Sequence, residues 1–95
     1  MKLVFAIIDS GVVSDIMRVL EELGIRQWTH WEGVHGAGEH NVRRGTPVWP
    51  GLNDVLLLVL PEEQVDPLVL RCHEIRDSFP KKPGMKFVVT DCQII

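Results

Sequence analysis

Two histidines and a glutamate lie close together in a glycine-rich stretch near the middle of the chain. His35, Glu39 and His40 offer two imidazoles and a carboxylate, which are common ligands of zinc and copper. Their spacing is not diagnostic of a metal motif, and polar side chains on a loop are often simply solvated. A solvated loop is therefore the simpler interpretation, and a metal ion held by these three residues is the alternative.

Glycines and lysines in two separate loops suggest a site for an anion. Gly36-Ala37-Gly38 can bring backbone N–H groups close to a negatively charged group, and Lys81, Lys82 and Lys86 around Gly84 can add positive charge. Each signal is weak alone. If the two loops met across a subunit boundary, they would form a phosphate-binding cleft.

The other residues with reactive side chains do not predict an enzyme. His30 on a strand is typical of a hydrogen-bonded or interface histidine, and His73 points to a different side of its helix from Cys72. No Ser-His-Asp arrangement and no P-loop motif is present in the sequence. The acidic pairs Glu21-Glu22 and Glu62-Glu63 lie on predicted helix exteriors, where solvated charge is the simpler role.

Apolar runs predict four strands that would position these residues. The longest run lies within Asn53 to Leu60 and predicts the central strand, covered on both faces or on one face and an oligomer contact. Leu3 to Ile8 predicts the first strand, Ile25 to Val34 the second, and Met85 to Ile95 the last.

Two helices are predicted between the strands. The first carries apolar residues at helical spacing from Val13 and ends at Gly24. The second follows the central strand, and either begins at Pro61 and bends, or takes Asp66-Pro67 as its N-cap and first residue.

The order strand, helix, strand, strand, helix, strand predicts a single α+β domain over residues 1–95. Right-handed crossovers turn this order into a ferredoxin-like βαββαβ fold, a four-stranded antiparallel sheet with both helices on one face. The other face needs a cover, and in so short a chain we expect another subunit to supply it. Residues Gly33 to Gly51 would form a long irregular loop, either for binding or as a hairpin arm against a neighbouring subunit.

Composition narrows the function further. A net charge of −3 argues against binding to nucleic acid, because such binding depends on many basic contacts to phosphate. No stretch is long and apolar enough for a signal-peptide core or a membrane span, so we expect a cytoplasmic protein that does not insert in membranes. Cys72 and Cys92 fit no disulfide framework or metal motif, which favours two reduced core thiols.

Several segments in a fixed order resemble the PII signalling superfamily, which contains nitrogen regulatory protein PII and, more distantly, CutA. The resemblance covers nearly the whole chain. It rests on Ala6-Ile7-Ile8, on the helix ending Glu21-Glu22-Leu23-Gly24-Ile25, on Thr29, Gly36-Ala37-Gly38 and Arg44-Gly45-Thr46, and most closely on Val59-Leu60-Pro61-Glu62-Glu63-Gln64-Val65-Asp66.

The resemblance implies a homotrimer whose intersubunit clefts bind an adenine nucleotide such as ATP, ADP or AMP. It assigns nucleotide binding to Thr29, Gly36, Gly38 and Gly84, and Lys86 lies one place after the position of the family's lysine, which Met85 occupies here. It also implies that the loop formed by residues 40–51 contacts a target protein.

The sequence therefore predicts a trimeric PII-like regulatory protein without catalytic activity, which binds a small ligand between subunits and acts through its loop. A CutA-like metal-binding protein that uses His35, Glu39 and His40 is the alternative from a different class. An assembly module without a ligand is a third possibility.

Overall fold

The computed structural model of the protein describes residues 1–37, 42–43 and 52–95. The elements in these ranges are β1 (Lys2–Asp9), α1 (Val13–Glu22), β2 (Thr29–Val34), β3 (Gly36–Ala37), β4 (Val42–Arg43), β5 (Asn53–Leu60), α2 (Glu62–Asp77) and β6 (Met85–Asp91). A single 3-10 turn, Ser10–Val12, joins β1 to α1.

Four of these strands form one antiparallel sheet in the order β2-β5-β1-β6. β1 and β5 are the two central strands, and both helices pack on the same face of the sheet. The predicted four-stranded antiparallel sheet with two helices on one face is therefore confirmed. The predicted central strand Asn53–Leu60 has the bounds expected.

Alternation along the central strands explains where the core lies. Successive side chains of a strand point to opposite faces of the sheet, so every second residue of β1 and β5 meets the helices. The core residues are Val4, Ala6, Ile8, Val12, Ile16, Val19, Leu20, Ile25, Leu56, Leu58, Leu60, Leu68 and Cys72. Burial of this layer supplies the main driving force for folding.

The opposite face of the sheet, which we call the open face, is apolar but carries no helix. It includes Leu3, Phe5, Ile7, Trp31, Val55, Leu57, Val59 and Val88. The leucines, valines and isoleucine of β1 and β5 on this face are half-buried, and Trp31 and Val88 are exposed. No described element of the chain covers the open face.

α1 ends in a glycine cap that shortens the next strand. Gly24 has a φ of +70°, and the backbone N–H groups of Gly24 and Ile25 donate to the carbonyl oxygens of Glu21 and Leu20. This is a Schellman motif, in which glycine is favoured because it adopts positive φ without strain. The prediction of a strand from Ile25 was therefore wrong at its start: Ile25 closes the helix, and β2 begins at Thr29.

α2 begins directly after Pro61, close to the first of the two predicted starts. Pro61 is the N-cap, Glu62 is the first helical residue, and Pro67 lies inside the helix. Glu62 and Glu63 sit in the first turn, where negative charge is favoured by the helix dipole. The Asp66-Pro67 start was wrong, because five residues before Pro67 are already helical.

The stretch from Gly33 onward is more regular than the sequence predicted. β2 continues to Val34 through a bulge after Trp31, and β3 and β4 form a short antiparallel ladder. The hairpin arm that was one of the two interpretations is thus present at the base of this stretch. The last strand is shorter than the sequence predicted, because β6 stops at Asp91. Cys92, which follows it, is only half-buried, so Cys92 is not a core thiol.

Candidate functional site

Thr29, the first residue predicted to bind nucleotide, lies on the open face at one edge of the sheet. It is exposed and pairs with Leu57 of the neighbouring strand. An open depression of about 540 Å³ beside it is lined in part by Arg26, Trp28 and Val59. Thr29 is therefore accessible to a ligand that approaches this edge.

Gly36 lies at the end of the sheet from which the loop leaves. It pairs with Arg43 in the β3–β4 ladder, and a Cβ atom placed on it would lie 2.9 Å from the side-chain nitrogen of Asn53. A larger residue would have to displace that amide. Gly38, the other predicted glycine of this segment, lies outside the described residues.

Gly84 and Lys86 lie at the opposite edge of the sheet. The Gly84 carbonyl accepts a hydrogen bond of 2.9 Å from the backbone N–H of Asp9, which fixes the turn to the end of β1. Lys86 is exposed and pairs with Ile7, so its side chain lies on the open face. Met85 points to the helix face and packs against the core.

Within one chain the structure does not bring Thr29 and Lys86 together. β2 and β6 are the two edge strands, and β5 and β1 lie between them. Three strand spacings separate the edges, which is about 14 Å. Two edges of one sheet cannot close on a small ligand unless a second chain brings a β6 edge next to a β2 edge.

The lysines near Gly84 differ in their environments. The ammonium group of Lys82 lies 3.4 Å from the carboxylate of Asp77, whereas Lys81 is an exposed lysine in the same loop. Because the Lys82 pair is on the surface, its contribution to stability is small. Lys82 therefore stays accessible to an anion that competes with Asp77.

Only one of the three predicted metal ligands lies in the described residues. His35 is exposed, while Glu39 and His40 lie outside the described residues. Within residues 1–37 and 52–95, no set of three or more His, Cys, Asp or Glu side chains is arranged to hold a metal ion. The three-residue metal site stays a prediction.

His73 and Cys72, which are neighbours on α2, lie in different environments. The ring of His73 packs edge-on against Phe87, with the ring centres 6.0 Å apart, while its neighbour Cys72 is buried in the core. Burial raises the pKa of the Cys72 thiol to about 12. No nucleophilic pair forms between these two residues.

A buried carboxylate that sequence analysis missed lies at the root of the loop. Asp54, at 4% exposure, is the buried charged residue of the described part of the chain. Its Oδ1 accepts hydrogen bonds from the Ser10 hydroxyl and, at 3.1 Å, from the Gly33 N–H, and its Oδ2 lies 2.7 Å from His30 Nε2. These contacts join the end of β1, the bulge of β2 and the start of β5.

The hydrogen bonds decide the charge of Asp54. Burial disfavours the carboxylate, but the Ser10 hydroxyl, the Gly33 N–H and His30 together hold the pKa of Asp54 below its ordinary value of 3.8. Asp54 is therefore ionised at neutral pH, and His30 Nε2 must carry the hydrogen that it donates.

A signal for this cluster was present in the sequence. Strand alternation places Asp54 on the same face as Leu56, Leu58 and Leu60, which is the buried face. A carboxylate on that face needs hydrogen-bond donors, because an unpaired buried charge is too costly. The nearest donors in space, Ser10 and His30, are distant in sequence, so alternation alone did not name them.

Comparison with known proteins assigns the chain to a family. The sequence model of the family described as nitrogen regulatory protein P-II matches residues 1–95. The chain belongs to the nitrogen regulatory protein P-II family. Among curated proteins, none matches the chain in sequence.

Solved structures agree with this assignment at the level of the fold. The P-II family chain is similar to CPII, a nitrogen regulatory PII-like protein from Thiomonas intermedia K12 bound to ADP, AMP and bicarbonate, with a TM-score of 0.79 and 19% identity over 98% of this chain and 86% of that chain. A structure of CPII bound to ADP and bicarbonate gives the same values. A third, at 2.3 Å with ADP, AMP and bicarbonate, gives a TM-score of 0.78 and 18% identity, over 98% of this chain and 92% of that chain.

The predicted ferredoxin-like fold and the predicted family are thus confirmed. Neither α1 nor α2, the two α-helices of the described residues, is long and apolar enough to cross a bilayer.

Proposed function

We propose that this P-II family protein is a homotrimeric cytoplasmic regulator, without catalytic activity, that binds an adenine nucleotide between subunits. One observation carries the proposal: the residues assigned to the nucleotide lie on opposite edges of one sheet, Thr29 on β2 and Gly84 with Lys86 near β6. A small ligand can touch both sets if the β2 edge of one subunit lies beside the β6 edge of the next.

The open face supports the trimer in this proposal. A soluble monomer rarely leaves a continuous apolar surface uncovered, and this face includes Phe5, Leu57 and Trp31. Three copies that turn their open faces inward would bury these side chains and place each β2 edge near a β6 edge. The depression beside Thr29 would then be closed by the neighbouring subunit.

The nucleotide is the ligand that the family and its structural relatives support. CPII binds ADP and AMP, and also bicarbonate. Adenine nucleotides carry phosphates that the exposed N–H groups and lysines of the Gly84 turn can bind. Binding would regulate a target protein through the loop of residues 40–51, provided that the ligand has different affinities for two loop conformations.

The experiment that tests the composite site mixes two variants. Thr29→Val removes the hydroxyl at one edge, and Lys86→Ala removes the ammonium group at the other. Each variant trimer would contain only damaged sites, whereas every mixed trimer would have one restored seam among its three, where a native Thr29 faces a native Lys86. Random assembly of equal amounts would thus restore roughly one in four of all seams. Isothermal titration with ADP measures the restored sites.

Two controls make this test decisive. The mixed trimers are formed by refolding the two variants together, and simple mixing without exchange of subunits serves as the control. Recovery of tight sites in refolded mixtures alone supports the proposal. Titrations of the unaltered protein with ADP, AMP and bicarbonate that give no heat at millimolar ligand would reject nucleotide and bicarbonate binding.

A further inference from the structure

A buried carboxylate connects the two strands at the root of the loop. Asp54 is the second residue of β5, where the loop returns to the sheet, and Gly33 lies in β2, where the loop leaves it. The Gly33 N–H donates to Asp54 Oδ1 at 3.1 Å. The Asp54 side chain therefore joins both ends of the loop, next to the backbone pairing of Val34 with Asn53.

The backbone at Gly33 needs this support. The residue has a φ of +64° inside the bulge that follows Trp31. A bulge leaves one residue without its ladder partner, so the Gly33 N–H has to find another acceptor. Asp54 supplies that acceptor within the fold.

Two further groups fix the carboxylate itself. The Ser10 hydroxyl donates to Oδ1, and His30 Nε2 lies 2.7 Å from Oδ2. The backbone N–H of Ser10 also donates to the carbonyl of Leu52 at 3.1 Å, which ties the same turn to the residue before β5. With donors on both oxygens, the Asp54 side chain has one favourable orientation.

We propose that Asp54 is a positioning residue that fixes the Gly33 bulge and thereby sets Gly36, at the base of the loop, for the ligand site. Gly36 follows Gly33 by three residues and packs against the side chain of Asn53, the neighbour of Asp54. A change of backbone conformation at the bulge moves Gly36 relative to β5. The part of this proposal that concerns the ligand rests on the proposed function.

The first measurement follows the Gly33 amide and needs no ligand. Asp54→Leu removes both acceptor oxygens and keeps the number and branching of the non-hydrogen side-chain atoms, whereas Asp54→Asn keeps one oxygen that can accept from Ser10 and Gly33. We expect hydrogen exchange of the Gly33 amide, followed by NMR, to accelerate about tenfold or more in D54L and to stay near the wild-type rate in D54N. Amides of the β1–β5 ladder should accelerate in each variant by no more than the factor that its loss of global stability, measured by urea unfolding, requires.

Asp91→Asn is the matched control for the effect of removing an aspartate charge. Asp91 also has a hydrogen-bonded partner, Lys2, but lies on the surface far from the bulge. The Gly33 exchange rate should not change in D91N. An unchanged Gly33 rate in D54L would overturn the assignment of Asp54.

The second measurement is the affinity for ADP. We expect D54L to bind about tenfold more weakly while D54N binds like the unaltered protein, since a lost buried hydrogen bond is worth about this factor. Wild-type affinity in D54L with an accelerated Gly33 amide would overturn the link to the ligand. If the unaltered protein binds no ADP, the proposed function and that link both fail, and the exchange rates alone decide whether Asp54 fixes the bulge.

A second variant covers the case in which D54L does not fold. Gly33→Ala keeps the Asp54 oxygens and the amide, but strains the backbone, because alanine disfavours the positive φ of this residue. We expect ADP binding to weaken about tenfold in G33A while the ladder amides keep their protection. Wild-type affinity in G33A would overturn the positioning role of the bulge.

Discussion

Replacement of Leu57 by aspartate is the sharpest test of the proposed assembly. Leu57 lies in the middle of β5 on the open face, between Phe5 of β1 and Thr29 of β2. It is half-buried in the isolated chain and makes no contribution to the helix-packed core. The change should therefore leave the fold of one subunit intact and act on whatever covers this face.

The size of the effect follows from the burial that the trimer would add. Burying a fully exposed leucine is worth about 2 kcal/mol, so completing the burial of the half-buried Leu57 is worth about 1 kcal/mol. A trimer contains three copies, so the loss is about 3 kcal/mol, which lowers the association constant of the trimer by about two orders of magnitude. An unpaired carboxylate at the same place adds its own desolvation cost.

Light scattering coupled to gel filtration at micromolar protein measures the outcome. We expect a trimer for the unaltered protein and a monomer for Leu57→Asp, with circular dichroism showing that the monomer is folded. Leu70→Asp is the matched control, because Leu70 is an exposed leucine, at 63%, on the outer side of α2. It should remain trimeric.

Three results would contradict this prediction. A stable trimer of L57D would mean that the open face is not the surface that the subunits share. A monomer of the unaltered protein at the same concentration would remove the assembly itself. Loss of folding in L57D but not in L70D would instead show that the open face is needed within one subunit.

Three further predictions concern stability and reactivity. The pKa of Asp54 is lowered, so its contribution to the free energy of unfolding is present above about pH 4 and is lost as pH falls through the folded-state pKa. Urea unfolding should therefore show D54N less stable than the unaltered protein at pH 7, with the difference shrinking at about pH 2. Equal differences at both pH values would contradict an ionised Asp54. Leu68→Ala should lower the free energy of unfolding by about 3 kcal/mol, because Leu68 is fully buried, and a loss below about 1 kcal/mol would argue against that packing. Cys92 should react with a thiol reagent at pH 8 well before Cys72, whose pKa is raised to about 12, and a Cys92→Ser variant should then be nearly inert in the native state.

Local sequence signals predicted the sheet and both helices because their causes are local. The run from Asn53 to Leu60 combines apolar residues with a proline that ends it, and the strand has those bounds. Gly24 marked the end of α1 because a positive φ favours glycine. Such features need no knowledge of the rest of the fold.

The errors occurred at the ends of elements, where a second signal outweighed the propensity of one residue. Ile25 is β-branched and was assigned to a strand, but its N–H completes the cap of α1 and its side chain joins the core. Pro67 suggested a helix start, yet α2 already begins at Glu62.

The candidate site was only partly predictable from the sequence. Thr29 and Gly84 were named through the family resemblance and Lys86 as a lysine near the Gly84 turn, and the sheet order then showed that these residues lie on different edges. The Asp54 cluster joins residues that are 44, 24 and 21 positions apart in the chain. No spacing rule connects them, although alternation did place a carboxylate on the buried face.

β2 connects the proposed ligand site to the Asp54 cluster, because adjacent residues on one strand face opposite sides of the sheet. Thr29 pairs with Leu57 on the open face, while the next residue, His30, pairs with Leu56 and reaches Asp54 on the helix face. In the proposed trimer, a ligand that moved Thr29 would also move the backbone of His30, and with it one of the groups that hold Asp54. Coupling between the proposed ligand site and the root of the loop would then need only one peptide unit, and no longer pathway through the core. His30→Ala should accordingly leave the oligomeric state and the ladder amides unchanged while it abolishes any effect of ADP on exchange of the Gly33 amide.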